Sequence, residues 1–222
     1  MKVIISGYGK MGHMIEEVLR RRGIELVCAS EDICAIPEDV ARECVCIDFT
    51  TPAAFRANYP VLAARFKAVV VGTTGWYDIK EEVFAAFRAA GTPMIWGSNY
   101  SVGVIALFAG VARACEVLKG HGYAPHVEEI HHIHKLDAPS GTAKSIGALI
   151  GEFLGETPEI GSQRIGEVPG THIAEFKSAV DKLTFTHEAF SRQGFAEGAV
   201  DAALMTEQLH GVHEFKDLIL AR

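Results

Sequence analysis

The sequence predicts an α/β protein: a doubly wound parallel sheet plus a second α+β domain carrying a mixed or antiparallel sheet. Three observations predict it. The chain opens on a short apolar run, Lys2 to Ser6, that flows into a glycine-rich turn and an amphipathic stretch. Apolar runs then alternate with helical patterns as far as Trp96, the grammar of parallel strands joined by right-handed crossovers. Beyond Val102 the grammar changes to a long apolar helix and then a strand-rich region. There Leu183, Phe185, His187 and Ala189 alternate onto one face, as in an antiparallel strand with one side covered.

The first turn reads Gly7-Tyr8-Gly9-Lys10-Met11-Gly12, a GxGxxG between a strand and a helix. The first glycine permits the tight turn, the second lets backbone approach a pyrophosphate, and the third lets helix and strand pack closely. The helix carries Met11, Ile15, Val18 and Leu19 on one face and ends at Gly23. This is the opening of a Rossmann-type, dinucleotide-binding sheet, and Lys10 and Met11 inside the loop join its cofactor-binding set. The second strand, Glu25 to Ala29, is followed by Glu31, nineteen residues after Gly12, where an acid hydrogen-bonds ribose hydroxyls. Glu31 and Asp32 together repel a 2′-phosphate, and the next arginine is Arg42. A preference for NADH over NADPH follows.

Cys44 to Phe49 is the next buried strand, and the helix that starts near Pro52 is expected to break at Pro60. Ala68 to Val71 ends in Gly72-Thr73-Thr74-Gly75, a glycine turn at the sheet edge where ligands bind. Tyr77 to Ala90 reads as an amphipathic helix, and Pro93 to Trp96 as a strand ending in Gly97-Ser98-Asn99-Tyr100.

The densest chemistry lies at Glu128 to Ala143, EEIHHIHKLDAPSGTA. A strand delivers His131, His132, His134 and Lys135 to its end, the chain turns, and a helix leaves with Ser140 as N-cap. Gly141 and Thr142 then expose backbone N–H groups, and a helix N-terminus beside a lysine suits a carboxylate or phosphate. Successive strand residues face opposite sides, so His131 and His132 take different jobs: proton donor and anion contact. Zinc is the rival reading. The histidines lack the i, i+4 spacing of a helical metal pair and no cysteine lies near, so no metal is expected.

The totals narrow the partners. Across 222 residues, 49% hydrophobic and 22% charged is ordinary globular composition. A net charge of −7 argues against nucleic acid or an anionic membrane surface, so an anionic ligand needs a local cationic patch. The five cysteines form no CxxC pair, and several sit in apolar strand-like runs that suit buried thiols in a reducing cytoplasm. The start goes straight into a strand without a signal peptide, and Val102 to Cys115, the longest apolar run, is too short and too interrupted to span a membrane.

The run HHxxKxDAPSGTA, ungapped from His131 to Ala143, resembles the signature of the 4-hydroxy-tetrahydrodipicolinate reductase (dihydrodipicolinate reductase) family. The resemblance implies NAD(P)H-dependent reduction of 4-hydroxy-tetrahydrodipicolinate to tetrahydrodipicolinate in lysine and diaminopimelate biosynthesis. It implies His131 as general acid with Lys135 beside it, and His132, Gly141 and Thr142 on the substrate's carboxylates. It implies nicotinamide contacts from Gly72 and Thr74 of the GTTG turn, and from Ser98 and the Tyr100 ring. Members using NADPH well put a basic residue where Asp32 stands, and longer members have more chain than Ile33 to Glu43. The run Ser162 to His172, SQRIGEVPGTH, also resembles the family, with Arg164 and His172 given no catalytic role. The family implies a homotetramer built on the second sheet, and a last helix, from Phe195, that returns to the cofactor domain. The expected domains are 1–101 with 193–222 for the dinucleotide and 102–192 for substrate and oligomerisation, hinged near Tyr100 and Arg192. Another nicotinamide oxidoreductase and a non-catalytic dinucleotide sensor remain as rivals.

Overall fold

The computed structural model describes residues 1–221. The elements run β1 (Lys2–Ser6), α1 (Lys10–Arg21), β2 (Glu25–Ser30), α2 (Glu38–Ala41), β3 (Cys44–Asp48), α3 (Pro52–Arg65), β4 (Ala68–Val71), α4 (Lys80–Ala90) and β5 (Met94–Trp96). They continue with α5 (Val102–Leu118), β6 (Ala124–His131), α6 (Gly141–Leu154), β7 (Ile160–Arg164), β8 (Gly170–Lys177), β9 (Lys182–Ala189), α7 (Gln193–Met205), β10 (Val212–Glu214) and α8 (Phe215–Leu220). The chain divides into two compact units: Met1–Val102 with the segment from Gln193 onward, and Gly103–Arg192.

The first unit holds a six-stranded parallel sheet in the order β10-β5-β4-β3-β1-β2. Its inner strands are buried on both faces, which is why β3 and β4 read as unbroken apolar runs. The helix α7 lies against α1, and its Asp201 takes Arg22 at 2.6 Å while Glu197 takes both Arg21 and Arg22. The helix α3 is not broken at Pro60, contrary to the expectation from sequence. Pro60 lies on its exposed side, and Phe55, Leu62 and Ala63, on either side of the proline, are buried in one core. Packing on both sides therefore holds the helix through the missing hydrogen bond. The three-residue β10 carried no periodicity of its own and exists as a strand by pairing with β5.

The second unit is a four-stranded mixed sheet, β7-β6-β8-β9. Strand β6 pairs parallel with β7 and antiparallel with β8. One face is covered by α5 and α6: Leu107, Val111 and Cys115 and then Ala143, Ile146 and Ile150 meet Val127, Ala174 and Phe176. The same face carries polar residues toward the end of β6. Register places Glu129 opposite His172, and His172 opposite His187.

Candidate active site

In the first unit the glycines divide by what requires them. Gly7 has φ +85°, and a Cβ there would stand 2.6 Å from the Phe49 carbonyl oxygen. A Cβ on Gly12 would stand 2.5 Å from the Gly7 carbonyl oxygen, and one on Gly72 2.1 Å from the Phe49 ring. The protein's own packing demands these three. Gly9 is different: its φ is −82°, and a Cβ would meet nothing within 4 Å. Open space at the side-chain-free start of α1 is the kind of cradle in which a pyrophosphate can be held, and nothing in the protein's own packing requires glycine there. Lys10 is exposed and Met11 half-buried beside it. The Glu31 carboxylate accepts from the Tyr8 N–H of the loop at 2.9 Å, and Asp32 accepts from the Cys34 N–H at 2.9 Å. Glu31 thus stands against the glycine loop, and each acid is fixed by a backbone donor.

The GTTG turn sorts its two threonines. Thr74 is exposed, whereas Thr73 turns inward and donates to Asp48 Oδ1 at 2.5 Å. Asp48 is fully buried at the end of β3. Ser6 Oγ donates to its Oδ2 at 2.7 Å and Thr50 Oγ1 to its Oδ1 at 3.1 Å. Burial pushes this carboxyl up, and the three hydroxyls oppose that push. Asp48 therefore ties the end of β1, the end of β3 and the GTTG turn together. Sequence reading overlooked it, though an acid closing the apolar run CVCID was the available signal. Ser98 is exposed. Tyr100 is buried, stacks on Phe215 at 4.8 Å between centroids and donates to the Val71 carbonyl at 2.9 Å. That ring is occupied in packing.

In the second unit β6 ends at His131, so His132, His134 and Lys135 stand in the following turn and not on the pleat. His131 is 8% exposed, and its Nδ1 is bonded to Glu129 Oε2. Burial pushes His131 down, against the pull of Glu129, and Lys135 and Arg164 add to the fall. His132 is half-buried, with an enclosed Nδ1 that has no partner among the described residues. His134 is exposed and meets Glu167 at 3.1 Å. Ser140 caps α6 by accepting from the Ala143 N–H at 3.2 Å. Gly141 is exposed and Thr142 half-buried at the start of that helix. Lys135 Nζ lies 2.8 Å from Asp137, whose carboxylate also takes the Gly141 N–H. The Lys135 contact first of all, then the backbone donors, hold Asp137 below the usual carboxylate range despite burial. A lysine and a helix N–H are thus already converging on one carboxylate.

Three further residues organise this site, and sequence reading gave none of them a role. Glu129 is fully buried two positions before His131 on the same face, and Arg164 Nη2 donates to its Oε1 at 2.9 Å. Arg164 also reaches the carbonyls of Lys135 at 3.3 Å and Asp137 at 2.6 Å. His172 sits 5.1 Å from the His131 ring, with Nε2 3.2 Å from Ser140 Oγ. Burial, then the neighbouring His131 and His187, push His172 down to about 4, so it is neutral at physiological pH. The period-two spacing of Glu129 and His131 was legible; the arrival of Arg164 and His172 from other strands was not. Among the described residues, no group of three His, Cys, Asp or Glu side chains is placed to hold a metal ion.

Comparison with known proteins places these features in one family. Models of the dihydrodipicolinate reductase N-terminus and C-terminus match residues 1–100 and 103–219. A 4-hydroxy-tetrahydrodipicolinate reductase of Christiangramia forsetii is 35% identical, covering 99% of this chain and 98% of its own. One of Ralstonia nicotianae is 32% identical, covering 99% of each chain. That alignment runs to 263 positions against 222 residues here, so the relative carries insertions. Among solved structures, the dipicolinate-bound dihydrodipicolinate reductase of Paenisporosarcina sp. TG-14 superposes with a TM-score of 0.80 at 19% identity, covering 98% of this chain and 99% of its own. That likeness is one of fold.

Proposed function

Because this chain belongs to the dihydrodipicolinate reductase family, we propose that its histidine strand and glycine loop divide one reduction between them. The reaction is NAD(P)H-dependent reduction of 4-hydroxy-tetrahydrodipicolinate to tetrahydrodipicolinate, an oxidoreductase step of lysine and diaminopimelate biosynthesis. The observation that carries the division is the convergence of Lys135 and the α6 N-terminus on a carboxylate beside a buried, carboxylate-bound His131.

When bound, the nicotinamide supplies hydride to a ring carbon conjugated with the substrate's imine. The chain's own residues do the rest. Gly7, Gly9, Lys10, Met11 and Gly12 receive the dinucleotide phosphates, Glu31 its ribose, and Gly72, Thr74 and Ser98 the nicotinamide side. His132, Lys135 and the Gly141 and Thr142 N–H groups neutralise the substrate's two carboxylates. Hydride addition leaves an electron-rich enamine, and His131 Nε2 gives it a proton. Burial keeps His131 below its usual range in the free protein. Two bound carboxylates push it back up, so the acid is charged when substrate is present. Lys135 stabilises developing negative charge and assists loss of the 4-hydroxyl as water.

Glu31 and Asp32 favour NADH over NADPH, since a 2′-phosphate would meet two carboxylates. Residues 1–101 with 193–222 form the dinucleotide-binding domain, and 102–192 bind substrate and carry a homotetramer contact, in a cytoplasmic enzyme.

The test is a coupled assay. Substrate is generated from pyruvate and aspartate semialdehyde by its synthase, and loss of reduced cofactor is followed with NADH and then NADPH. Oxidation that requires the synthase, with the larger kcat/KM for NADH, is the expected result. Synthase-independent oxidation, or none from protein that binds NADH, would overturn the reaction; a larger kcat/KM for NADPH would overturn only the cofactor preference.

A further inference from the structure

We propose that Glu129 is a positioning residue for the proton donor: it fixes the tautomer of His131, so that Nε2 is the nitrogen that gains and gives the proton. The proposal rests on His131 as the acid of the proposed reaction and adds the residue that sets its chemistry.

The argument starts from the acceptor. Glu129 is fully buried, and a buried carboxylate survives only with charged or hydrogen-bonding partners. Arg164 donates to Oε1 at 2.9 Å, and the Ser140 N–H donates to the same oxygen at 3.2 Å. Burial alone would raise Glu129, but Arg164, His131 and Ser162 outweigh it and hold the carboxyl below its usual range. Glu129 is therefore ionised near neutral pH, and an ionised carboxylate has no proton to give. Its second oxygen faces His131 Nδ1, so that nitrogen must carry the hydrogen. In the neutral ring Nε2 is then the bare nitrogen, and it is the one that titrates.

The surroundings of Nε2 fit that role. Among the described residues it has no hydrogen-bond partner, and a Cβ on Gly170 would stand 2.9 Å from it. The glycine keeps the approach clear. The charged and titratable groups facing His131 are Glu129 from its own strand, Lys135 from the turn, Arg164 from β7 and His172 from β8. His172 is neutral, and Lys135 and Arg164 disfavour the imidazolium, so Glu129 is the one neighbour that favours the charged acid.

The same carboxylate holds the Ser140 N–H at the mouth of α6, where the substrate's carboxylates are received. A purely structural role would show there, as a raised KM. A positioning role shows in the alkaline limb of the pH profile, where the acid loses its proton.

The test is Glu129→Gln in the coupled assay with saturating NADH, together with nitrogen-15 spectra of His131. His131 acts as the protonated form, so kcat/KM falls as pH rises through its pKa. Loss of the Glu129 charge lowers that pKa, and the limb moves to lower pH. At neutral pH kcat should drop between about 10- and 1000-fold, short of the loss in His131→Ala. In the wild-type protein the neutral His131 ring should carry its proton on Nδ1; in Glu129→Gln that preference should be lost. An unmoved limb, or an effect confined to KM, overturns the proposal. If the variant fails to fold, the wild-type spectrum decides alone, and a proton on Nε2 of the neutral ring overturns it. Normal turnover by His131→Ala would instead sink the reading on which the proposal rests.

Discussion

Each unit buries one carboxylate completely, and the two are treated in opposite ways. Asp48 is surrounded by the neutral hydroxyls of Ser6, Thr50 and Thr73, and burial raises it. Glu129 is surrounded by Arg164, His131 and a backbone N–H, and it is lowered. Hydroxyls can only share hydrogen bonds with a carboxylate, whereas a guanidinium also offsets its charge. The first arrangement clamps two strand ends and a turn. The second keeps a permanent negative charge against an imidazole. The difference teaches that the first unit uses its acid as a fastener for backbone, and the second holds its acid as a charge against a histidine.

Substitutions that separate the two units sharpen this comparison. The largest effect is expected from His131→Ala, which should lower kcat by about 10²–10⁴-fold while NADH affinity stays unchanged. Steady-state kinetics beside a fluorescence titration with NADH checks both halves. The reverse separation is expected from Gly9→Val. A Cβ there meets nothing within 4 Å, so melting temperature should hold, while NADH affinity falls by about 10–100-fold because the cradle is filled. A matched loss of melting temperature would break the claim that this glycine serves the ligand.

The smallest effect concerns stability. The pKa of His172 is lowered to about 4 by burial, so the folded second unit binds a proton more weakly than the unfolded chain. Its contribution is therefore fully present above about pH 6.5 and is lost as pH falls from there to about 4, some 3 kcal/mol in all. Hydrogen exchange should show the second unit loosening over that window before the first. His172→Gln should flatten the dependence. A first unit that loosened earlier would contradict the contrast.

Much of the first unit was legible because its site is made of backbone. Glycine spacing, strand ends and an acid at a fixed distance are local patterns, and Gly7, Gly12 and Glu31 stand where those patterns put them. The exceptions were non-local. The helix through Pro60 is held by core packing on both sides, and β10 depends on β5. Tyr100 ended a loop segment in sequence, yet its ring is claimed by Phe215 from the far end of the chain. In the second unit the residues within the HHxxKxDAPSGTA run were legible as a cluster, because a strand, a turn and an N-cap are each local. What binds them was not. Arg164 reaches Glu129 across 35 positions through the pairing of β7 with β6, and Ser140 meets His172 across 32 where the start of α6 comes against β8.

The most direct test of the division of labour is a single-turnover measurement on His131→Ala with NADH already bound and substrate supplied by the synthase. The account predicts undiminished NADH binding, a slowed reduction step, and the whole defect in that step. Reduction at the wild-type rate, or a defect that disappears when NADH is raised, would contradict it.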